Sequence, residues 1–503
     1  MLTRSLRLFG RAPLTRLRVQ TPLLRSLSSA SVSNARPVIE GFVAKLKPEQ
    51  PKFAISPDDI RILSTPAQFY SNLLDMIRRA EKRIIISSLY LGSSESELVS
   101  VLAEALSKKP RLEVYMLFDL NRSTRPGPQS TAKLLLPLVS RFQGRIHVSF
   151  FRSPSLRGIL AKLVPPRFNE GWGTWHAKIY GSDDDIMISG ANLNQSYFTD
   201  RQDRYLYFAN QQRLSQYCFS FVETVSGFSF ELQPQSTRPS SPHSIRGGDY
   251  ELAWASTKPH PHHIHETAQS DLAALKKTYS GAMDAVDPNK VTLLPLVQGG
   301  QFNVRDEEDT LKLLFEHLDT PLSGPRPLLD LTSGYFGLYK EYQNLILQGS
   351  NFDCRIIASS PRANGFYGSA GVSGRIPEGY TLLEQRFMKA VARAGRQSAV
   401  QLNEWEKEGW TYHAKGIWLS EAPDDLPRLT LFGSTNLNSR SAHIDTELSF
   451  LMLIPEAAAT EPLRWRLAEE VANLRAYSSP WKGAERRVRL GTKALVGLVG
   501  GML

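Results

Sequence analysis

Ten histidines occur in 503 residues, and two of them share one local setting. Gly171-Trp172-Gly173-Thr174-Trp175-His176-Ala177-Lys178 and Gly409-Trp410-Thr411-Tyr412-His413-Ala414-Lys415 each place His-x-Lys after an aromatic residue. An Asn-x-Asn segment follows each one: Asn192-Leu193-Asn194 after Ser189-Gly190, and Asn436-Leu437-Asn438 after Gly433-Ser434. Alternate residues of a strand share a face, so His176 lies beside Lys178 and His413 beside Lys415. This set suits a phosphoryl group. Lysine offers positive charge to the non-bridging oxygens, while Asn192, Asn194, Ser434, Asn436 and Asn438 can donate hydrogen bonds. One imidazole can attack phosphorus. The other can protonate the leaving oxygen and later deprotonate the incoming alcohol. Each imidazole needs a carboxylate to fix its tautomer, and Asp203 and Glu447 follow their Asn pairs at similar distances. A strand histidine with a solvated lysine would account for one copy. Two copies with matching Asn turns point to chemistry.

The elements around these residues are duplicated as well. Arg83 to Tyr90 is a short β-rich run followed by a helix-like stretch to Leu106, and Leu328 to Phe336 plays the same part later. A second strand follows each, Leu112 to Phe118 and Arg355 to Ala358, with Arg122 and Arg362 just beyond. Apolar runs of this length between helical patterns indicate two copies of an α/β unit with a mixed or parallel sheet. Residues 232–290 differ: Pro234, Pro239, Pro242, Pro259 and Pro261 mark a connection. Its histidines (His260, His262, His263, His265) lack the cysteines or carboxylates of a metal set, so a solvated loop is expected and no metal.

Charge is uneven along the chain. Residues 1–39 carry seven arginines and no Asp, Glu or Lys, and so hold seven of the eleven net positive charges. Arginine, leucine and serine without acids compose a mitochondrial transit peptide. The remaining +4, with no basic-aromatic run, argues against nucleic acid as a partner. Two cysteines, Cys218 and Cys354, exclude a disulfide scaffold. No apolar run is long enough to span a bilayer. At the end, Arg486, Arg487 and Arg489 precede a mostly apolar stretch, Leu490 to Leu503, which suits adsorption to an anionic membrane or packing as a last helix.

His176-x-Lys178-(x)4-Asp183 resembles the signature of the phospholipase D superfamily, as does Gly433-Ser434-Thr435-Asn436. The second copy departs from it, with Ser420 where the motif has Asp, and the first has Ser189-Gly190 in inverted order. The resemblance covers about residues 60–480. It implies two tandem α/β sandwich domains related by a pseudo-two-fold axis, one active site at their interface and a phospho-histidine intermediate without metal or cofactor. His176, Lys178, Asp183, His413 and Lys415 would be catalytic. Arg25-Ser26-Leu27 resembles a matrix-peptidase site, with the cut after Leu27. The expected division is a transit peptide over 1–27, a linker over 28–55, domains over 56–231 and 291–480 joined by 232–290, and a tail over 481–503.

Segments 408–415 and 87–92 are further similar to the phosphatidyltransferases of that superfamily that use CDP-diacylglycerol and glycerol 3-phosphate. That similarity implies release of CMP, formation of phosphatidylglycerophosphate, and peripheral association with the matrix side of the anionic inner mitochondrial membrane. Arg122 and Arg362 would meet the extra charge of the acceptor. A phospholipase D or cardiolipin hydrolase, with water as acceptor, is the alternative enzyme. An inactive lipid-binding scaffold is the alternative that Ser420 suggests.

Overall fold

Short runs of β-branched and aromatic residues, bounded by polar turns, build two sheets of one topology. The computed structural model describes residues 38–126, 130–158, 163–164, 169–281, 287–321 and 324–499. The expected transit peptide and the expected cut after Leu27 lie outside the described residues.

The first half supplies β1 (Ile60–Leu63), β2 (Arg83–Ser87), β3 (Glu113–Asp119), β4 (Ile146–Phe151), β5 (Ile179–Ser182), β6 (Asp185–Ser189) and β7 (Tyr205–Phe208). Their spatial order is β4-β3-β2-β5-β6-β7-β1. The second half supplies β8 (Val291–Gly299), β9 (Leu328–Ser333), β10 (Asp353–Ser359), β11 (Val400–Trp405), β12 (Lys415–Ser420), β13 (Leu429–Gly433) and β14 (Thr446–Leu453). These lie in the order β11-β10-β9-β12-β13-β14-β8, a repeat of the first. In each sheet three strands run parallel and the others are antiparallel. Ile84, Ile85 and Ile86 are all buried, so both faces of β2 are covered, as expected for parallel strands. The fold is the tandem phospholipase D-like pair that the motifs implied.

Helices cover the sheets. Helix α1 (Pro66–Arg79) has Pro66 in its first turn, and Thr65 caps it by accepting from the Gln68 N–H. Its buried stripe is Phe69, Leu73, Met76 and Ile77, spaced for one face. Helix α2 (Ser96–Lys108) packs beside it, and α3 (Gln212–Gly227) lies along β2 to β6. In the second half α4 (Asp306–Leu318) packs on β8.

The flanking segments are more ordered than their composition suggested. Phe53–Ile55 forms a strand that pairs with Val291–Leu293, so the stretch read as a linker is an edge of the second sheet. Within residues 232–290, Phe230–Pro234 and Tyr250–Ala253 extend the first sheet beyond β4. The alternating Phe230, Leu232, Tyr250 and Leu252 bury their side chains there and outweigh the surrounding prolines and serines. At the end, Leu490–Val499 is a helix on α5 (Ile376–Arg393). Arg486 pairs with Glu404 and Arg489 with Glu378, leaving Leu490 82% exposed. Among the described residues no helix is long and apolar enough to cross a membrane.

The two halves meet through Phe208 and Phe432, stacked at 6.0 Å, and through buried Arg204. Arg204 donates to Leu431 O at 2.8 Å, to Thr430 Oγ1 at 3.0 Å and to both oxygens of Glu470 at 2.9 Å. Gly416 makes room for it: a Cβ at that position would lie 2.3 Å from Arg204 Nη1.

Candidate active site

Each His-x-Lys segment enters its strand after a stub that pairs with the other half. Thr411–Tyr412 runs parallel to Arg201–Gln202, and Trp175 forms an equivalent bridge to Thr446. The His413 N–H donates to Gln202 O at 2.8 Å and the His176 N–H to Thr446 O at 2.9 Å. Asp203 and Glu447 are the next residues along. The backbone therefore places each histidine against the carboxylate of the opposite copy.

The side chains complete that crossing. His176 Nδ1 lies 2.8 Å from Glu447 Oε2, and His413 Nδ1 lies 2.7 Å from Asp203 Oδ2. Both pairs are buried. An Nδ1–H held by a carboxylate leaves Nε2 with its lone pair free for attack or proton transfer. Ser441 Oγ donates to Glu447 Oε1 at 2.7 Å. Burial raises Glu447, but the His176 imidazole, Lys178 and the Ser434 hydroxyl outweigh it and hold the carboxyl ionised. Asp203 is less supported: burial pushes it up to about 6 against the pull of Lys415. Gly190 admits it, since a Cβ there would lie 2.4 Å from Asp203 Oδ1. The inverted Ser189-Gly190 order thus has a steric cause.

Both lysines are buried beside their histidines. Lys178 Nζ donates to His176 O at 2.5 Å, and Lys415 Nζ to His413 O at 2.8 Å. Burial lowers Lys178 to about 7 and Lys415 to about 8. Burial also lowers both imidazoles, His413 the more strongly because Lys415 and Arg201 add to it. An anion entering this space reverses these shifts, because its charge replaces the lost hydration. The site is built to take up negative charge.

The two histidines are not equivalent. His413 Nε2 lies 3.2 Å from Lys415 Nζ and 3.3 Å from Tyr197 OH, which accepts from Asn192 Nδ2 at 3.1 Å. Ser441 holds the corresponding place in the second copy, three residues after Asn438, and turns to Glu447 instead. Among the described residues nothing hydrogen-bonds His176 Nε2. Tyr335 stands edge-on to His413 at 5.4 Å, and the Arg201 guanidinium lies 4.5 Å above the Tyr197 ring.

Other expected residues fall in different places. Asn192 is in the site, and buried Asn436 has Oδ1 without a partner. Asn194 and Asn438 cap the short helices Gln195–Thr199 and Ser439–His443, where their Oδ1 atoms accept from backbone N–H groups. Ser434 exchanges hydrogen bonds with the Leu448 backbone behind Glu447. Asp183 is not brought to the site. It sits in the turn beyond β5 and accepts from the backbone of Glu81, Lys82 and Arg83 at 2.8–3.0 Å. Its part is structural, which explains why Ser420 can replace it: there the turn is longer, and Arg428 ties it to Glu421 at 2.9 Å. Arg122 packs over the Tyr90 ring at 4.2 Å, 3.9 Å from Glu170. Arg362 does not join it; its side chain is 75% exposed, in an open groove with Tyr367, Lys407 and Trp410.

Asp119 and Tyr197 gave no motif signal. Asp119 accepts from the Arg122 N–H at 2.8 Å and the Trp175 N–H at 3.0 Å, tying that arginine to the strand of His176. Asp445 accepts from Thr174 at 2.9 Å and pairs with Arg440 at 2.9 Å. Only the position of Tyr197, three residues past the capping Asn194 on one helical turn, could have flagged it.

No family model matches the chain. A mouse protein (Mus musculus) named mitochondrial CDP-diacylglycerol–glycerol-3-phosphate 3-phosphatidyltransferase is 34% identical over 474 residues, covering 89% of this chain and 84% of its own length. A fission-yeast protein (Schizosaccharomyces pombe) of the same enzyme name is 33% identical over 492 residues, covering 89% and 95%. The crystal structure of phosphatidylserine synthase from Haemophilus influenzae has the same fold, with a TM-score of 0.67 at 19% identity over 92% of this chain and 98% of that one. By identity and coverage, the chain belongs to the family of CDP-diacylglycerol–glycerol-3-phosphate 3-phosphatidyltransferases.

Proposed function

We propose that the protein makes phosphatidylglycerophosphate from CDP-diacylglycerol and glycerol 3-phosphate, releasing CMP, and so performs the committed step of cardiolipin synthesis in mitochondria. The observation that carries this reading is the crossed pair of His–carboxylate dyads between two buried lysines, in a chain of that family.

The diphosphate of CDP-diacylglycerol enters between Lys178 and Lys415. His176 Nε2 attacks the phosphorus that bears diacylglycerol, and the bond to the CMP oxygen breaks. His413, made imidazolium by the incoming charge, gives its Nε2 proton to that oxygen. The phosphatidyl group rests on His176, whose positive charge Glu447 balances. Glycerol 3-phosphate then replaces CMP. Neutral His413 takes the proton from its hydroxyl, the oxygen attacks phosphorus, and the P–N bond breaks. Asn192 and Asn436 donate to the charged oxygens. Arg122 meets the acceptor's phosphate. The free Nε2 of His176 and the Tyr197 contact of His413 support this division of roles.

The lipid substrate requires contact with a bilayer, and we place the protein peripherally on the matrix face of the inner membrane. Exposed Leu490, with Arg487 and Lys493 nearby in sequence, supports the tail as one contact. The test follows CMP and lipid product from CDP-diacylglycerol in mixed micelles, with and without glycerol 3-phosphate. CMP and phosphatidylglycerophosphate formed only with the acceptor and both histidines is the expected result. Phosphatidic acid formed regardless of acceptor would replace the transferase by a hydrolase. No turnover would leave a scaffold.

A further inference from the structure

Four of the five histidines of the 232–290 segment converge in the structure, while His265 packs on Phe302. The His243 ring lies 4.6 Å from His260, which is 5.2 Å from His262 and 5.3 Å from His263. Among the described residues no group of three or more His, Cys, Asp or Glu is arranged to hold a metal ion. The surroundings are those of an anion site instead. Arg152 leaves the C-terminal end of β4, one strand out from Asp119, and is largely withdrawn from water. Among the described residues no carboxylate pairs with it: burial alone lowers its pKa, and its Nε is buried without a partner. Nδ1 of His262 is likewise buried and unpartnered. Burial lowers His262 to about 4, and the other groups acting on it are Arg152, His260, His263 and Arg157, none of them an acid. His260 feels burial, then His243, His263 and Arg152, and no acid. Unpaired buried donors and a guanidinium without a counter-ion are unfavourable unless an anion supplies the missing partner.

We propose that Arg152, His243, His260, His262 and His263 form a second site, separate from the catalytic pair, that binds a phosphate group. A planar guanidinium and several imidazole N–H donors match the oxygens of a phosphate monoester or phosphodiester. The group can come from a lipid headgroup or from a free phosphate ester. Bound phosphate favours the imidazolium forms, so binding takes up protons and tightens as pH falls from about 7.5 to 6.

The test uses the full chain and needs no turnover, so it stands apart from the transferase reading. Inorganic phosphate is titrated by calorimetry at pH 6.0 and 7.5, and flotation is measured with phosphatidylcholine vesicles with and without phosphatidylglycerol. The variants are His260→Ala/His263→Ala, at exposed rim positions, and Arg152→Gln. Saturable phosphate binding that is tighter at pH 6.0, and weakened roughly tenfold or more in either variant, supports a free ester. Flotation that depends on phosphatidylglycerol and weakens in the variants, without phosphate binding, supports a headgroup. Neither response, equal responses in wild type and variants, or zinc binding in place of phosphate overturns the proposal. The rim variant guards against misfolding of Arg152→Gln.

Discussion

Tyr197→Phe tests the inequivalence of the histidines. With His413 Nδ1–H held by Asp203, the phenol donates to Nε2 and accepts from Asn192. Losing that hydroxyl removes one hydrogen bond worth about 0.5–1.5 kcal/mol and leaves the buried Asn192 amide short of a partner, for a total of about 1–3 kcal/mol. Expressed in the proton-transfer step, this is roughly a 5- to 160-fold loss in kcat. The direction on pH also follows. The phenol stabilises neutral imidazole, so its loss raises the His413 pKa, and the acidic limb of kcat moves to higher pH. A structural role would lower stability without moving that limb. The sharper readout is a rapid base quench that preserves phosphatidyl-histidine. His176→Ala alone is expected to give no CMP burst, because Tyr197 covers the other nucleophile. His176→Ala/Tyr197→Phe is expected to give a slow burst with the lipid on His413. An unchanged kcat and pH profile in Tyr197→Phe, or a label on His413 in His176→Ala alone, would refute the argument.

Glu447→Gln should lower kcat by about two orders of magnitude or more at little change in fold, since an amide no longer fixes the His176 tautomer or balances its charge; steady-state CMP release checks this. Gly190→Ala should inactivate the enzyme by displacing Asp203, with a smaller effect from Ala at exposed Gly227 as the control. Arg204→Ala strands Glu470 in the interface and should destabilise by about 3–5 kcal/mol, read as a lower denaturation midpoint. Lys178, lowered to about 7 by burial, loses its proton in the folded state above about pH 7 while the unfolded chain still keeps it. Stability should therefore rise with pH between about 7 and 10, by up to about 1.4 kcal/mol per unit from this group, and Lys178→Met should remove that slope.

The reacting residues were legible because duplication repeats them: two His-x-Lys segments with matched Asn turns stand out from ten histidines. The carboxylates were legible as residue types but not as partners, because the crossing of Asp203 to His413 and Glu447 to His176 is fixed by stub pairing between halves. Asn194 and Asn438 have a second use that their spacing did not reveal, as helix caps through Oδ1. A side chain that donates to phosphate is the same one that accepts from a helix N-terminus, and spacing does not separate the two uses. Asp183 shows the converse, a motif residue whose carboxylate is used up by three backbone N–H groups. Residues 232–290 were read by their prolines, although the alternating apolar residues at 230–232 and 250–252 carried the strand signal.

The strand Phe53–Ile55 carries a consequence for how the molecule comes into being. It pairs with Val291–Leu293, more than two hundred residues downstream. A chain that emerges N-terminus first, from a ribosome or through a translocation pore, delivers this strand long before its partner exists. Its apolar residues must wait while the first sheet assembles beside them, and loop closure over that span is slow. The exposed intermediate is the stage at which a chaperone would be needed, and a chain truncated before residue 291 would leave the segment permanently without its edge.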